Sequence, residues 1–182
     1  MKKILLTSTG FDNENIKNKF LTLLDKDVSN TQVLFVITAA DDADSVRVLS
    51  GCLDDLTNCG IKDANITVYD MHKLISLDDI KKYDVMYVCG GSTKKLVDRI
   101  IELNFKKVCD ELINNSGIYI GVSAGSIVAS GTYKNSLNLI DNKLDVHCEK
   151  GSSNGIISTH DEIYLTDSQA IYISDKESII FE

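Results

Sequence analysis

Ile118-Tyr119-Ile120-Gly121-Val122-Ser123-Ala124-Gly125-Ser126 is the stretch on which the reading of this chain turns. Its first five residues form an apolar, β-rich run, and the small residues that follow open a helix. A continuous apolar strand running straight into a helix belongs to a mostly parallel sheet covered on both faces. The same alternation extends upstream. Lys3 to Thr7, Val33 to Thr38, Ile66 to Tyr69 and Val85 to Cys89 read as strands. Between them, Asn13 to Leu24 and Asp42 to Cys59 show helical periodicity, the latter through Val46, Leu49, Leu53 and Leu56. Leu96 to Leu103 and Phe105 to Ile113 predict two further helices, the second broken by Asn114-Asn115-Ser116-Gly117. Downstream of about Leu139 the character changes. A loop at Gly151 to Gly155 precedes three short strands, Ile163 to Leu165, Ala170 to Ser174 and Ser178 to Phe181, expected to be antiparallel. The expectation is a single α/β domain over residues 1–182, a three-layer sandwich with a mostly parallel central sheet and a short antiparallel C-terminal edge.

Composition narrows the function classes. The 182 residues are 43% hydrophobic and 25% charged, enough to bury a core. Nineteen basic against twenty-seven acidic residues leave a net charge of −8, which speaks against a nucleic-acid or anionic-membrane partner. No apolar run approaches the ~20 residues of a membrane span, and the N-terminal run is too short for a secretory signal. The five cysteines are odd in number and form no CxxC pair, so reduced thiols in a cytoplasm are expected. Cys52 and Cys59, seven apart on one helical face, read as core. None of His72, His147 and His160 stands at zinc-binding spacing from a cysteine or another histidine, so neither metal nor cofactor is expected.

Open parallel sheets present ligands at the carboxyl ends of their strands. Two such ends stand out. Tyr87-Val88-Cys89-Gly90-Gly91-Ser92-Thr93 runs a strand into a glycine pair and then a helix. Glycines there allow positive φ and bring backbone N–H groups close to a ligand; the plainer reading is a tight turn capped by Ser92 or Thr93. The second is the opening stretch, whose Gly121-Val122-Ser123-Ala124-Gly125 is a Gly-x-Ser-x-Gly pattern in strand–turn–helix context. Small neighbours permit the strained turn that lifts a serine hydroxyl above the sheet, and the N–H of Ala124 can face the same space. The alternative is that Ser123 merely caps the helix. A nucleophilic serine needs a base. His147 and His160 both lie downstream, whereas His72 falls in a helical region with no clear route to Ser123; residue type alone does not choose between the first two. An orienting carboxylate could be Asp141, Asp145, Asp161 or Asp167.

Together, the Gly90-Gly91-Ser92-Thr93 turn and the Gly121-Val122-Ser123-Ala124-Gly125-Ser126 elbow resemble those of the S51 peptidases, the dipeptidase E and cyanophycinase group. The resemblance covers Met1 to about Ser130 in element order and resumes at Ile163 to Ile173. It implies a fold similar to class I glutamine amidotransferases and a serine-type peptidase acting on small peptides through an acyl-enzyme. Carried over by position, the nucleophile is Ser123, the base His147, and the orienting acid Asp167. The backbone N–H groups of Gly90, Gly91 and Ala124 are the implied oxyanion donors. The resemblance also implies a longer segment between elbow and last strands than this chain has. Recognition of an N-terminal aspartate requires a cation; only Arg47 and Arg99 are arginines, both before the elbow, and Lys150 is the substitute. The alternative function is a catalytically inactive amidotransferase-like protein that binds a small molecule or a partner protein.

Overall fold

The computed structural model describes residues 1–40, 43–159 and 161–182. Its main sheet has eight strands in the order β3-β2-β4-β5-β1-β9-β10-β7. β1 (Lys3–Thr7), β2 (Val33–Val36), β3 (Ile66–Tyr69), β4 (Val85–Val88) and β5 (Ile118–Val122) are mutually parallel. β9 (Ala170–Ile173), β10 (Ser178–Phe181) and β7 (Gly155–Ile156) extend the sheet antiparallel beyond β1.

Period-2 alternation divides the core between the two faces of this sheet. Ile4, Leu6, Leu34, Val36, Met86, Val88 and Tyr119 face one side. There they meet Ile80 of α3 (Leu77–Ile80), Leu96 and Ile100 of α4 (Thr93–Glu102), Val108 and Leu112 of α5 (Lys106–Asn114), and Val128 of α6 (Ala124–Ala129). Leu5, Val33, Phe35, Val85, Tyr87 and Ile120 face the other, against Ile16 and Phe20 of α1 (Glu14–Leu23) and Cys52 and Leu56 of α2 (Ala43–Asn58). The three-layer arrangement and its antiparallel edge are as the periodicity predicts. Asn13 caps α1 by accepting from the N–H groups of Asn15 and Ile16, which explains why that helix starts where it does.

Three local expectations need correction. On α2 the buried positions are Cys52 and Leu56, while Val46 and Leu53 are exposed, so the apolar stripe is rotated from the one read in sequence. Asp42, the expected start of that helix, lies outside the described residues. His72 sits in a bend after β3 rather than in a helix. Finally, β8 (Ile163–Tyr164) does not join the antiparallel edge. It pairs parallel with β6 (Leu144–Asp145) in a separate two-stranded sheet, and the edge is completed instead by β7, beginning at the predicted loop's last glycine.

Candidate active site

The register of three adjacent strands assembles the rim. Thr7 lies opposite Val122 in β5 and opposite Ala170 in β9, so residues just beyond these positions converge at one point above the sheet. The Ser123 N–H donates to the Thr7 carbonyl at 3.0 Å. Ser126, fully buried, locks the junction: its hydroxyl lies 2.7 Å from the carbonyls of Thr7 and Gly121 and accepts from the Thr7 N–H at 3.0 Å.

Ser123 occupies the turn between β5 and α6 with φ 49° and ψ −110°, a sparsely populated conformation for a residue with a side chain. Its neighbours must be small. A Cβ on Gly121 would lie 2.6 Å from the Gly125 carbonyl oxygen, and one on Gly125 would lie 2.2 Å from that of Val88. The Ser123 side chain makes no capping bond to α6. Its Oγ lies instead 3.0 Å from His147 Nε2.

His147 and Asp167 arrive together because of the small sheet. Leu144 pairs with Ile163 and Asp145 with Tyr164, so β6 leads into His147 beside the segment by which β8 leads into Asp167. The Cys148 N–H donates to the Leu165 carbonyl at 3.0 Å, extending that ladder past the histidine. His147 Nδ1 stands 2.7 Å from Asp167 Oδ1. With Nδ1 protonated, Nε2 is left as the acceptor facing Ser123. Both side chains are open to solvent at about half their area, 49% for His147 and 58% for Asp167, so a substrate can reach them. The Asp167 carboxyl is held below the ordinary aspartate range, first by the hydroxyl of Ser8, which burial opposes, and then by His147. His160 lies outside the described residues.

The glycine turn faces Ser123. A Cβ on Gly90 would approach the Ser123 Cβ to 3.1 Å, and Gly91 has φ +129°. The N–H groups of Gly91 and Ala124 have no hydrogen-bond partner among the described residues, as oxyanion donors require. Ser92 does cap α4, accepting from the Lys95 N–H at 3.3 Å, so the plain reading of that turn holds alongside the other. Among the described residues no group of three or more His, Cys, Asp or Glu is arranged to hold a metal ion.

A family model, peptidase family S51, matches residues 4–180. The chain belongs to peptidase family S51. Its membership covers nearly the whole sequence, including both turns and the loops carrying His147 and Asp167. No curated protein matches the chain. Among solved structures it is similar to a provisionally named peptidase E protein from Listeria monocytogenes EGD-e, at 22% identity and a TM-score of 0.76, over 100% of this chain and 98% of that one. A peptidase from an acI-B1 Actinobacterium is similar at 12% identity and a TM-score of 0.68, over 100% of this chain and 87% of that one. These likenesses establish the α/β fold.

The sequence reading missed Ser8 and Ser126. Ser8 lies in no recognisable motif, and Ser126 closes the elbow motif without a sign of its contacts; the bonds of both to neighbouring segments are identifiable only once β1 is placed between β5 and β9.

Proposed function

We propose that this S51 member is a serine-type peptidase hydrolysing small peptides through an acyl-enzyme on Ser123. One observation carries the reading: Ser123 Oγ, His147 and Asp167 form a continuous hydrogen-bonded chain with distances of 3.0 and 2.7 Å. In this mechanism Ser123 Oγ attacks the scissile carbonyl carbon while its proton passes to His147 Nε2. The carbonyl oxygen becomes an oxyanion facing the N–H groups of Gly91 and Ala124. As the C–N bond breaks, the imidazolium returns its proton to the leaving amine. Water then repeats the sequence on the ester, releasing the acid and restoring Ser123. Asp167 keeps the imidazole in the required tautomer and balances its transient charge.

Small peptides fit an open rim with exposed catalytic side chains. An N-terminal aspartate is not the favoured residue. Arg99 is engaged by Glu102 and by the carbonyls of Met71 and His72, and Arg47 pairs with Asp44 on α2. The five free cysteines, four of them buried, fit action in a reducing compartment such as the cytoplasm.

The test is intact-mass analysis after treatment with a fluorophosphonate. A single adduct on the wild type, absent in Ser123→Ala and slowed by several orders of magnitude in His147→Ala, is expected. Loss of nucleophile or base in such a unit costs on the order of 10⁶-fold in turnover. A folded wild type that takes no adduct beside a reactive serine-hydrolase control overturns the proposal and favours the non-catalytic alternative.

A further inference from the structure

Ser8 follows the last residue of β1 and is fully buried beneath the rim. Its hydroxyl donates to Asp167 Oδ1 at 2.8 Å and accepts the His147 backbone N–H at 2.8 Å. The same oxygen lies 3.2 Å from His147 Nδ1, close to the Nδ1–Asp167 bond. Next to it, the Thr9 hydroxyl donates to the Asp167 backbone carbonyl at 2.8 Å. His147 adopts φ +57°, a left-handed conformation that a non-glycine residue keeps only when its surroundings enforce it.

The geometry points to Ser8 as a positioning residue of the catalytic unit, fixing the His147 backbone and the Asp167 carboxylate to the central strand through one hydroxyl. The inference rests on the peptidase reading, within which it adds a fourth member that no motif marks. Its logic is chemical. A hydroxyl has one proton to give and lone pairs to receive, so Ser8 can hold base and acid simultaneously without contacting a substrate. β1 is an interior strand of the sheet, paired on one side with the strand that delivers Ser123. An anchor on β1 therefore ties the two exposed members of the unit to the same rigid frame as the nucleophile. It also explains how His147 and Asp167 stay aligned although each is about half exposed and is carried on an irregular segment. The titratable groups facing Asp167 are His147 and Cys148, and Ser8 is the neutral donor among its neighbours.

The test compares wild type with Ser8→Ala in two measurements. First, fluorophosphonate labelling is resolved into binding and a maximal labelling rate. Loss of a hydrogen bond to a charged group predicts a rate lower by about 10- to 100-fold with unchanged binding. Second, the Asp167 carboxyl is titrated by its ¹³C chemical shift, and in Ser8→Ala it moves up towards the ordinary aspartate range. A residue serving packing alone would leave that titration where it is. Ser8→Cys, close in size but a weaker donor, should give intermediate values in both, and it stands in should Ser8→Ala fail to fold. Equal labelling rates, or an unmoved Asp167 titration in a folded variant, overturn the inference. A wild type that takes no adduct defeats the peptidase reading instead, while the Asp167 titration still decides whether Ser8 holds the acid.

Discussion

Replacing Gly91 by alanine perturbs the rim at its tightest point. A Cβ there would lie 2.3 Å from the Ala39 carbonyl oxygen, 2.6 Å from its carbon and 3.1 Å from the Ala40 nitrogen. Carbon contacts are comfortable at about 3.5 Å, so the two segments must separate by roughly an ångström. All three atoms are backbone and cannot rotate away. The Ala39 carbonyl also accepts the Ser92 N–H at 2.8 Å, so any retreat strains the bond that anchors the start of α4. The φ of +129° adds a conformational cost that alanine bears and glycine does not. Strain of about 1–3 kcal/mol and overpacking of about 1–3 kcal/mol give a destabilisation of about 2–6 kcal/mol. A domain stable by about 5–15 kcal/mol survives most of that range, so the variant should fold with a lower urea midpoint. Moving the Gly91 N–H by that distance should also slow fluorophosphonate labelling by about 10²–10³-fold. Gly60→Ala is the control. Gly60 likewise has positive φ, but its Cβ would meet only a Val28 side-chain methyl at 3.2 Å, remote from Ser123 in the fold. It should lose stability without losing labelling rate. A Gly91→Ala protein with wild-type midpoint and wild-type labelling would refute both the steric argument and the donor assignment.

Two further outcomes follow from the same structure. Asp55 accepts from the Tyr87 hydroxyl at 2.6 Å and the Phe11 N–H at 3.0 Å, yet burial outweighs these bonds and raises its carboxyl above the ordinary range. A folded-state value above the unfolded one stabilises at acid pH, and that contribution disappears as pH rises through the folded value. Asp55→Asn should therefore gain stability relative to wild type between about pH 4 and about pH 7, read from urea midpoints at both; a constant difference would count against the burial argument. With both arginines already engaged, dipeptides beginning with aspartate should be cleaved no more than about tenfold better in kcat/KM than those beginning with alanine or leucine. A preference of a thousandfold would mean that a lysine such as Lys150 supplies the missing cation.

Much of this protein was legible from local pattern because its physics is local. Strand alternation with period two and helices with period 3.6 record burial residue by residue, and the sheet, its two covered faces and the antiparallel β9–β10 edge follow from them. The elbow is local as well: Gly121, Ser123 and Gly125 are spaced so that only small side chains fit against the Gly125 and Val88 carbonyls. On α2 the same kind of reading erred, because four apolar residues at helical spacing do not reveal which side of the helix the sheet will occupy. There Leu56 and Cys52 are buried as read, whereas Val46 and Leu53 of the same stripe are exposed. The partner of Ser123 was assigned to His147 by resemblance in element order, since two downstream histidines are equivalent as residue types.

By itself, then, the sequence determined the layered α/β architecture, the position of Ser123 on a strained strand–helix turn and the glycine loop opposite it. Only the tertiary structure decided what stands around that hydroxyl. The parallel pairing of β6 with β8 delivers His147 and Asp167 side by side, and pairing of two two-residue strands leaves no readable periodicity. Ser8 meets Asp167 across 159 positions of sequence and His147 across 139. Contacts at such separations are set by the order of strands in the sheet. Here β1 lies between the strand that ends at Ser123 and the strand that begins just after Asp167.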